Sequence, residues 1–463
     1  MRTETTSAAS IHKVRRDARG GKRGDGDLRH QRIRRADPTR INNGKADRSL
    51  TGVAGLASFG VFCQKDGVDA ELRRHFFRLK SGHLVVYPME AELRLLLDAN
   101  VAGEARVFGL EALAADPLFV RLAGGVVPSI DTVYRDLTRF DSCALQDLEA
   151  LMARKGAATV KSLGLDHVHI DVDTTVEEVF GTQEGALPGP NPRFHGRPSY
   201  HPILAYVAEA GVCVGARLRA GDTSLGGDDV HAIKGWVQRL RSSLGSKVLV
   251  TARIDAGACG SILDGFHDAG ARFIAKGKMD FELREAIRRV KKRKWKPVDW
   301  DADGRRTREV ADVSFKRASW QCRYRVIAVR TCNRDRARQI YLWDDLDYTV
   351  QAYVTNDEQT DADEIAWEYD GRAEIEPAIA ELKNGWGIGK IPSQIFCANH
   401  ALFLLKLLAH NLMRRFVRWA APDLAVWRSP WLRRALINIP GRLIRSGRRW
   451  FLRTPPLSRV RLN

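Results

Sequence analysis

The sequence lacks paired cysteines, and this argues against two kinds of cross-linked unit. Its seven cysteines are odd in number, scattered along the chain and never arranged as Cys-x2-Cys. Disulfide frameworks and structural zinc sites both draw on cysteines at regular spacings. We therefore expect reduced thiols in a cytoplasmic protein.

Long apolar runs are also missing. No apolar stretch follows the basic residues near Met1, so we expect no secretory signal. The most apolar segment, Ala401 to Met413, carries Lys406 and His410 and is too short to span a bilayer. It is expected to form a buried helix, and no membrane role follows.

Acidic residues are in deficit. The chain has 75 Lys and Arg against 56 Asp and Glu, a formal net charge of +19. Such an excess favours an anionic partner, and nucleic acid is the natural one because neutralising phosphates releases condensed counterions. Charge alone still leaves enzymes, ribosome-associated proteins and membrane-surface proteins open.

Large apolar side chains are scarce in residues 1–48, which predicts a disordered basic arm because little surface can be buried there. Helical periodicity then begins, as in Val68 to Leu79 and Met89 to Leu97, and predicts a helical domain over residues 49–160. Ser129 to Phe140 is either a recognition helix with Arg135 and Arg139 one turn apart, or a solvated charged face.

Strand patterns follow. His167 to Val176 alternates, so His169, Asp171 and Asp173 are expected on one face of a strand. The pattern continues with a hairpin (Pro202 to Val207 and Val212 to Leu218), a helix (Asp229 to Leu244), a strand (Lys247 to Ile254), a helix (Cys259 to Ala269) and a strand (Arg272 to Ala275). Strands that alternate with helices in this way predict an α/β fold with a mixed sheet.

The remaining boundaries follow from changes in this rhythm. We assign residues 161–280 to the first part of the α/β core, 281–350 to a β-rich insertion, 351–425 to the second part of the core, and 426–463 to a basic C-terminal segment.

Two acids end predicted strands. Asp173 and Asp255 lie where loops leave a sheet, the place where α/β proteins put ligand-binding groups. Carboxylates suit Mg²⁺ or Mn²⁺, and a third acid from a helix would complete a pair of metal sites able to flank a phosphodiester. A single acid at a strand end is more often a cap or solvated, so the pair needs support.

A predicted helix from Glu364 to Lys383 supports a metal site at Asp173 and Asp255. Tyr369, Arg372, Glu376 and Lys383 fall within roughly 60° of arc at ~100° per residue, provided that the helix is unbroken. A carboxylate for metal would then lie beside three groups that bind phosphate oxygens. An exposed face with an Arg372–Glu376 ion pair explains the same pattern equally well.

The spacing Y-x2-R-x3-E-x6-K resembles the signature around the third acid of a large group of bacterial insertion-sequence DDE transposases. DVDTT around Asp173, ARIDAG around Asp255 and YVTND before the helix resemble the same group. So do HGRPSYHPILAYVAEAG, GIGKIPS and NHALFLLKLLAHNL. The resemblance covers roughly Leu50 to the C-terminus, and the combined motifs are more specific than any one.

The resemblance implies an RNase-H-like catalytic core with a β-rich insertion between the second and third acids, and it implies that the helical domain of residues 49–160 binds the DNA end. It implies that two Mg²⁺ ions, replaceable by Mn²⁺, are held by Asp173, Asp255 and Glu376. It implies that phosphates of the DNA end are held by Tyr369, Arg372 and Lys383.

The reaction implied is cut-and-paste transposition, in which phosphodiester hydrolysis is followed by strand transfer through a hairpin end. Its partners would be double-stranded DNA, as terminal inverted repeats and target, and a second copy of the chain in a synaptic dimer. The setting would be the bacterial cytoplasm, at the nucleoid. A tryptophan of the insertion would stack a displaced base, and the candidates are Trp295, Trp300, Trp320 and Trp343.

Some assignments remain open. Asp171 is an alternative first ligand, and Asp173 is preferred because it directly precedes the Thr pair. Pro377 follows Glu376, so the helix either kinks or begins anew there. Glu374 and Glu381 are alternative third acids that miss the spacing.

Three other functions compete. The first is a non-catalytic domesticated DNA-binding protein, and the second is a metal-dependent nuclease without strand transfer. The third, an RNA-associated basic protein, is disfavoured by the Tyr-Arg-Glu-Lys pattern.

Overall fold

The computed structural model describes residues 44–189, 191, 195–255, 260–300, 302, 304, 306–332 and 348–455. The chain divides into two units, Met1–Arg48 and Ser49–Asn463. Residues 44–48 of the first unit are exposed and have no helix or strand. The rest of the predicted basic arm lies outside the described residues.

The region that precedes the sheet is helical, as the periodicity predicts. After a short strand, β1 (Leu50–Thr51), come helices α1 (Leu56–Lys65), α2 (Val68–Phe76), α3 (Met89–Ala102), α4 (Leu110–Leu113), α5 (Pro117–Leu122), α6 (Ile130–Leu137) and α7 (Ser142–Lys161). Side-chain caps fix several of their starts. For example, the Asp141 carboxylate accepts a hydrogen bond from the Ala144 N–H at 2.8 Å, which satisfies a donor that the first turn of α7 leaves unpaired.

The proposed recognition helix is shorter than its sequence pattern suggests. Helix α6 ends at Leu137, so Arg139 lies beyond it and does not share a helical face with Arg135. Arg139 instead contacts the Asp136 carboxylate at 3.0 Å. The prediction of two arginines one turn apart on one helix is therefore wrong.

The main sheet runs through the second half of the chain. Its strands are β2 (His167–Thr174), β6 (Ile203–Val207), β7 (Val212–Arg217), β8 (Leu249–Ile254), β9 (Arg272–Lys276), β10 (Lys296–Trp300), β11 (Arg306–Val313), β12 (Arg325–Cys332) and β13 (Tyr348–Thr355). Three short strands, β3 (Glu177–Glu178), β4 (Leu187–Pro188) and β5 (Pro198–Tyr200), form a separate small sheet.

The strand order is β10-β11-β12-β13-β9-β8-β2-β6-β7. Strands β2, β8 and β9 are parallel, β6 pairs antiparallel with β2, and β7 pairs antiparallel with β6. Three antiparallel strands joined to parallel ones, in this order, form the mixed RNase-H-like core that was expected. The strands of residues 281–350 do not stand apart, because they extend this sheet through β13.

The central strands of the main sheet bury both faces. In β6, Leu204 and Tyr206 join the core that contains the N-terminal helices, whereas Ile203, Ala205 and Val207 pack on the opposite side. Covering this second face are α8 (Asp228–Leu244), α9 (Gly260–Asp268) and α10 (Phe281–Arg288). Alternate side chains of one strand therefore link two separate cores.

A long buried helix closes the first face. Helix α13 (Phe396–Ala420) contains the apolar segment 401–413, as expected, and packs against α3 and α7. In the described part of the chain, no helix is long and apolar enough to cross a membrane.

Helix α13 also binds the edge of the sheet. The Asn411 side chain accepts a hydrogen bond from the Cys213 N–H at 2.9 Å and donates to the Cys213 carbonyl at 2.7 Å. Cys213 belongs to the edge strand β7, so one amide side chain substitutes there for a neighbouring strand. Gly156 of α7 makes the close approach of that helix feasible, because a Cβ at this position would lie 2.2 Å from the Cys213 carbonyl oxygen.

The predicted helix from Glu364 to Lys383 is two helices. Helix α11 (Ala362–Asp370) ends in a 3-10 turn, Gly371–Glu374, and α12 (Ile375–Trp386) begins after it. Pro377 is the third residue of α12, where a helix needs no N–H donor, so the sequence tolerates a new start there. The unbroken single face was therefore a wrong prediction.

The last elements complete the fold. Helix α14 (Ser429–Leu436) precedes β14 (Gly441–Ser446) and β15 (Arg449–Arg453), which form an antiparallel hairpin beside β1. This hairpin lies in the segment that the sequence marked only as basic.

Candidate active site

Asp173 and Asp255 lie side by side at one end of the sheet. Asp173 is the penultimate residue of β2, and Asp255 directly follows β8, its parallel neighbour. Val172 and Ile254, the residues just before them, are partners in the strand register. The prediction that both acids occupy strand ends is correct, and the parallel pairing places those ends together.

The two oxygens of Asp173 have different surroundings. Oδ1 accepts a hydrogen bond from the Thr174 N–H at 2.9 Å and contacts Nη2 of Arg372 at 3.1 Å. No described residue donates a hydrogen bond to Oδ2, and the side chain is 23% exposed. One oxygen is thus fixed by the protein, while the other is not.

Nearby charges and burial shift the pKa values of Asp173 and Arg372. Burial raises the pKa of Asp173 above its ordinary value, and the charge of Asp255 adds to this effect, while Arg372 opposes it. Burial alone would lower the pKa of Arg372, but the charge of Asp173 and its neighbours outweighs burial and raises it. The partly desolvated carboxylate of Asp173 therefore lies beside one buried guanidinium, with the charge of Asp255 nearby.

Tyr369 and Arg372 pack against the strand ends. The Tyr369 hydroxyl donates to the carbonyl of Ile254 at 3.3 Å, and Nη2 of Arg372 lies 3.4 Å from the carbonyl oxygen of Val172. Both side chains are buried, and burial raises the pKa of Tyr369. They hold the two backbone positions that precede the aspartates.

Lys383 lies against the loop that follows β2. Its ammonium donates to the carbonyl of Val176 at 2.8 Å and contacts Glu177 at 3.1 Å. The three side chains expected to bind phosphate therefore do meet near the aspartates, but each is engaged with the protein.

The candidates for the third acid differ in what they contact. Glu376 is exposed on the first turn of α12, and no contact described in the structure joins it to either aspartate. Glu374 is exposed in the preceding 3-10 turn. Glu381 accepts a hydrogen bond from the Ser429 N–H at 2.8 Å, so its carboxylate serves the packing of α14.

Asp171, the alternative first ligand, is enclosed. Its side chain is fully buried, and both oxygens contact Arg253, with Nε at 2.6 Å and Nη2 at 2.8 Å. Nη1 of Arg253 donates in turn to the carbonyl of Glu368 at 2.7 Å. A metal at Asp171 would have to displace this buried pair, so the surroundings favour Asp173.

Sequence analysis missed a second cluster nearer the start of β2. His167, His169 and Glu368 lie close enough together to hold a metal ion. Oε1 of Glu368 is 2.9 Å from Nε2 of His169 and 3.5 Å from Nε2 of His167, and Nδ1 of His169 contacts Glu209 at 2.6 Å. The alternating histidines are visible in the sequence, but their partner from α11, almost 200 residues away, is not.

This cluster is separate from the two aspartates. His169 precedes Asp173 by four residues, roughly 13 Å along an extended strand. Arg272 contacts both oxygens of Glu368 at 2.8 and 2.7 Å, so an ion pair already satisfies that carboxylate.

The tryptophans considered for base stacking differ in exposure. Trp295 and Trp320 are buried, and the guanidinium of Arg330 stacks on the Trp295 ring at 4.3 Å. Trp300 in β10 is 52% exposed. Trp343 lies outside the described residues, which leaves Trp300 as the accessible candidate among the described three.

Most of the chain matches the model of a known protein family. Residues 38–457 match the family model described as transposase DDE domain group 1. No curated protein matches the chain. Among solved structures, a cryo-EM structure of the piggyBac transposase synaptic complex with hairpin DNA is similar at a TM-score of 0.41 and 9% identity, over 82% of this chain and 79% of that one. Because the family model spans most of its length, the chain belongs to the DDE transposase family of group 1.

Proposed function

We propose that this chain is a cut-and-paste transposase of the bacterial insertion-sequence group with the Tyr-Arg-Glu-Lys signature. It would cleave DNA at the ends of its element and join the freed 3′ ends to target DNA, with a hairpin end as the intermediate. The observation that carries this proposal is the placement of Asp173 and Asp255 side by side at the ends of adjacent parallel strands.

The residues at this place fit divalent cations. No described residue donates a hydrogen bond to Oδ2 of Asp173, and the raised pKa of Asp173 reflects burial and the repulsion of Asp255, which a dication would relieve. Carboxylate oxygens are the ligands that Mg²⁺ prefers. We assign Asp173, Asp255 and Glu376 to two Mg²⁺ ions, which Mn²⁺ would replace.

We assign the third metal-binding carboxylate to Glu376 on the signature spacing. Arg372 touches Asp173 and precedes Glu376 by four residues, although Arg372 lies in the 3-10 turn before α12 and Glu376 is exposed. The spacing supports Glu376 over Glu374 and Glu381, because neither of those fits it.

The chain's own groups would position the carboxylates and the DNA. Arg372 and the Thr174 N–H fix Oδ1 of Asp173, so Oδ2 is left in a defined direction. Tyr369 anchors the strand end before Asp255. Among Tyr369, Arg372 and Lys383, Lys383 is the least buried. It is therefore the one best placed to exchange its protein contacts for a phosphate. When bound, the metals would supply an activated water and stabilise the leaving 3′ oxygen.

The partner of this site is double-stranded DNA, both as terminal inverted repeats and as target. The net charge of +19 supports an anionic partner. Since two ends must be brought together, we propose a homodimer in the synaptic complex, at the nucleoid in the bacterial cytoplasm.

The test is a cleavage assay. Purified protein and Mg²⁺ are incubated with a labelled duplex that carries the flanking inverted repeat, and the products are separated on a denaturing gel. We expect nicks at the repeat boundary with wild-type protein and none with Glu376→Gln or Asp255→Asn, although both variants still bind the duplex. Equal nicking by these variants would overturn the assignment.

A target plasmid added to the same reaction separates two activities that use the same carboxylates. Joining of the labelled end to the plasmid is expected for a transposase. Nicking without joining would mean a metal-dependent nuclease, and binding without nicking would mean a non-catalytic DNA-binding protein.

A further inference from the structure

The last 40 residues, from Leu424 onwards, contain ten arginines and no acidic residue. The described part of this segment ends in the hairpin of β14 and β15. The two strands are joined at Gly447 and Arg448, and Gly447 has a φ of +59°, which suits the first position of a tight type II′ turn. The turn therefore places Arg448 at the tip.

One side of the hairpin is used for packing. Leu443 is buried, and its cross-strand partner Leu452 packs against the core that contains the N-terminal helices. Strand β14 also pairs with β1, so the hairpin is fixed to the helical region rather than to the sheet of the active site.

The other side and the tip are exposed and cationic. Arg448, Arg449 and Arg453 are exposed and make no ion pair with a described residue, and Arg445 donates only to the carbonyl of Gly447 at 3.2 Å. Phe451 lies between Arg449 and Arg453 on the strand and is 49% exposed. Side chains two apart on a strand project to one side about 6.6 Å apart, so Arg449, Phe451 and Arg453 form one row.

This concentration of charge is unfavourable for the isolated chain. Arg448, Arg449 and Arg453 place three positive charges within six residues of the hairpin, and like charges so close together repel. An anionic polymer relieves such repulsion at several places at once and releases its own counterions.

We propose that the C-terminal hairpin, through Arg448, Arg449 and Arg453, binds the phosphate backbone of duplex DNA at a surface separate from the catalytic carboxylates. The choice of DNA over other polyanions rests on the proposed function. Contacts with phosphate oxygens carry no sequence information, so binding at this surface is independent of base sequence.

The test compares two variants that lose the same charge. In Arg448→Gln/Arg449→Gln/Arg453→Gln the hairpin loses three cations. In the control, Lys161→Gln/Lys247→Gln/Lys278→Gln, three exposed lysines of the α/β core are lost instead, outside the helical domain and the hairpin. Fluorescence anisotropy with a duplex of about 30 base pairs and arbitrary sequence is measured from 50 to 200 mM KCl.

We expect the hairpin variant to bind at least tenfold more weakly at roughly 0.1 M salt, and the slope of log K against log salt to become shallower by about three. The control should keep the wild-type slope. Arg448→Lys/Arg449→Lys/Arg453→Lys should bind nearly as wild type, because phosphate contact needs the charge. Circular dichroism and thermal melting show that each variant is folded.

Equal losses in the hairpin variant and the control would overturn the proposal, since net charge alone would then explain binding. So would a lysine variant as weak as the glutamine variant, or a hairpin-dependent affinity for phosphatidylserine vesicles without one for DNA. If wild-type protein binds no DNA at all, the proposed function fails as well. If wild-type protein binds and the hairpin variant matches it, only the hairpin proposal fails.

Discussion

Two carboxylates of strand β2, Asp171 and Asp173, have contrasting surroundings. At Asp171 the carboxylate is buried and both of its oxygens contact Arg253. At Asp173, two residues further on, Oδ1 is held by Arg372 and Thr174, and no described residue donates a hydrogen bond to Oδ2. Both acids project from the same face of the strand, so the partner supplied by the fold, rather than strand alternation, distinguishes the two carboxylates.

The largest difference is expected in activity. Asp173→Asn keeps an oxygen for Arg372 and Thr174 but removes the charge that a metal needs. Because a metal contributes several kcal/mol to the transition state, we expect cleavage to fall on the order of 10³-fold or more. Single-turnover cleavage of the labelled repeat measures this. Wild-type cleavage in this variant would return Asp171 to consideration as the first ligand.

The next effect is expected in stability, and at the other acid. Asp171→Asn leaves Arg253 buried without its ionic partner, which should lower the free energy of unfolding by about 3–5 kcal/mol. Urea denaturation followed by tryptophan fluorescence measures it. The double variant Asp171→Asn/Arg253→Gln should lose less than the sum of the single variants, and strict additivity would mean that the pair is not coupled.

A third prediction separates the aspartates from the histidine cluster. Mg²⁺ at roughly ten times its dissociation constant should stabilise the wild-type protein by about 1.4 kcal/mol. The effect should vanish in Asp173→Asn and persist in His169→Gln, as measured by thermal melting with and without Mg²⁺. The reverse pattern would move the metal to His167, His169 and Glu368.

The smallest effect concerns pH. Burial alone would lower the pKa of His169, but hydrogen bonds to Glu209 and Glu368 outweigh it and raise it above the ordinary value. Burial alone would raise the pKa of Glu368, but its hydrogen bonds with His169 and Arg272 outweigh burial and lower that pKa to about 2. Protonated His169 therefore stabilises the folded state fully below its unfolded pKa, near 6.5, and this stabilisation is lost as pH rises through the raised value.

We accordingly expect the stability difference between wild type and His169→Gln to be largest near pH 5.5 and to shrink by pH 8.5. Both values lie well above the pKa of Glu368, so that carboxylate stays ionised throughout. Urea midpoints at the two pH values measure the difference, and a constant gap would show that His169 does not titrate in this range.

Much of the core could be predicted from the sequence because local patterns determine it. The hairpin of β6 and β7 follows from two apolar runs around a tight turn, and β8 follows from a β-branched run that ends at Asp255. Both aspartates were therefore placed at strand ends before the fold was known.

What could not be predicted depends on contacts distant in sequence. Arg253 distinguishes Asp171 from Asp173, and it does so across two strands that only tertiary structure brings together. The 3-10 turn between α11 and α12 was anticipated only as a consequence of Pro377, and it separates buried Arg372 from exposed Glu376. The C-terminal hairpin was missed because a dense run of arginines hides the alternation of Leu443 and Leu452 with polar neighbours.

Asn411 has a consequence for how copies of this protein meet. An exposed edge strand offers unpaired N–H and C=O groups to any other extended chain, and natural proteins avoid such aggregation by covering or interrupting the edge. At β7 one amide on a buried helix occupies both groups of Cys213. At Cys213 the edge is thereby closed to pairing with another extended chain, including a second copy of this protein.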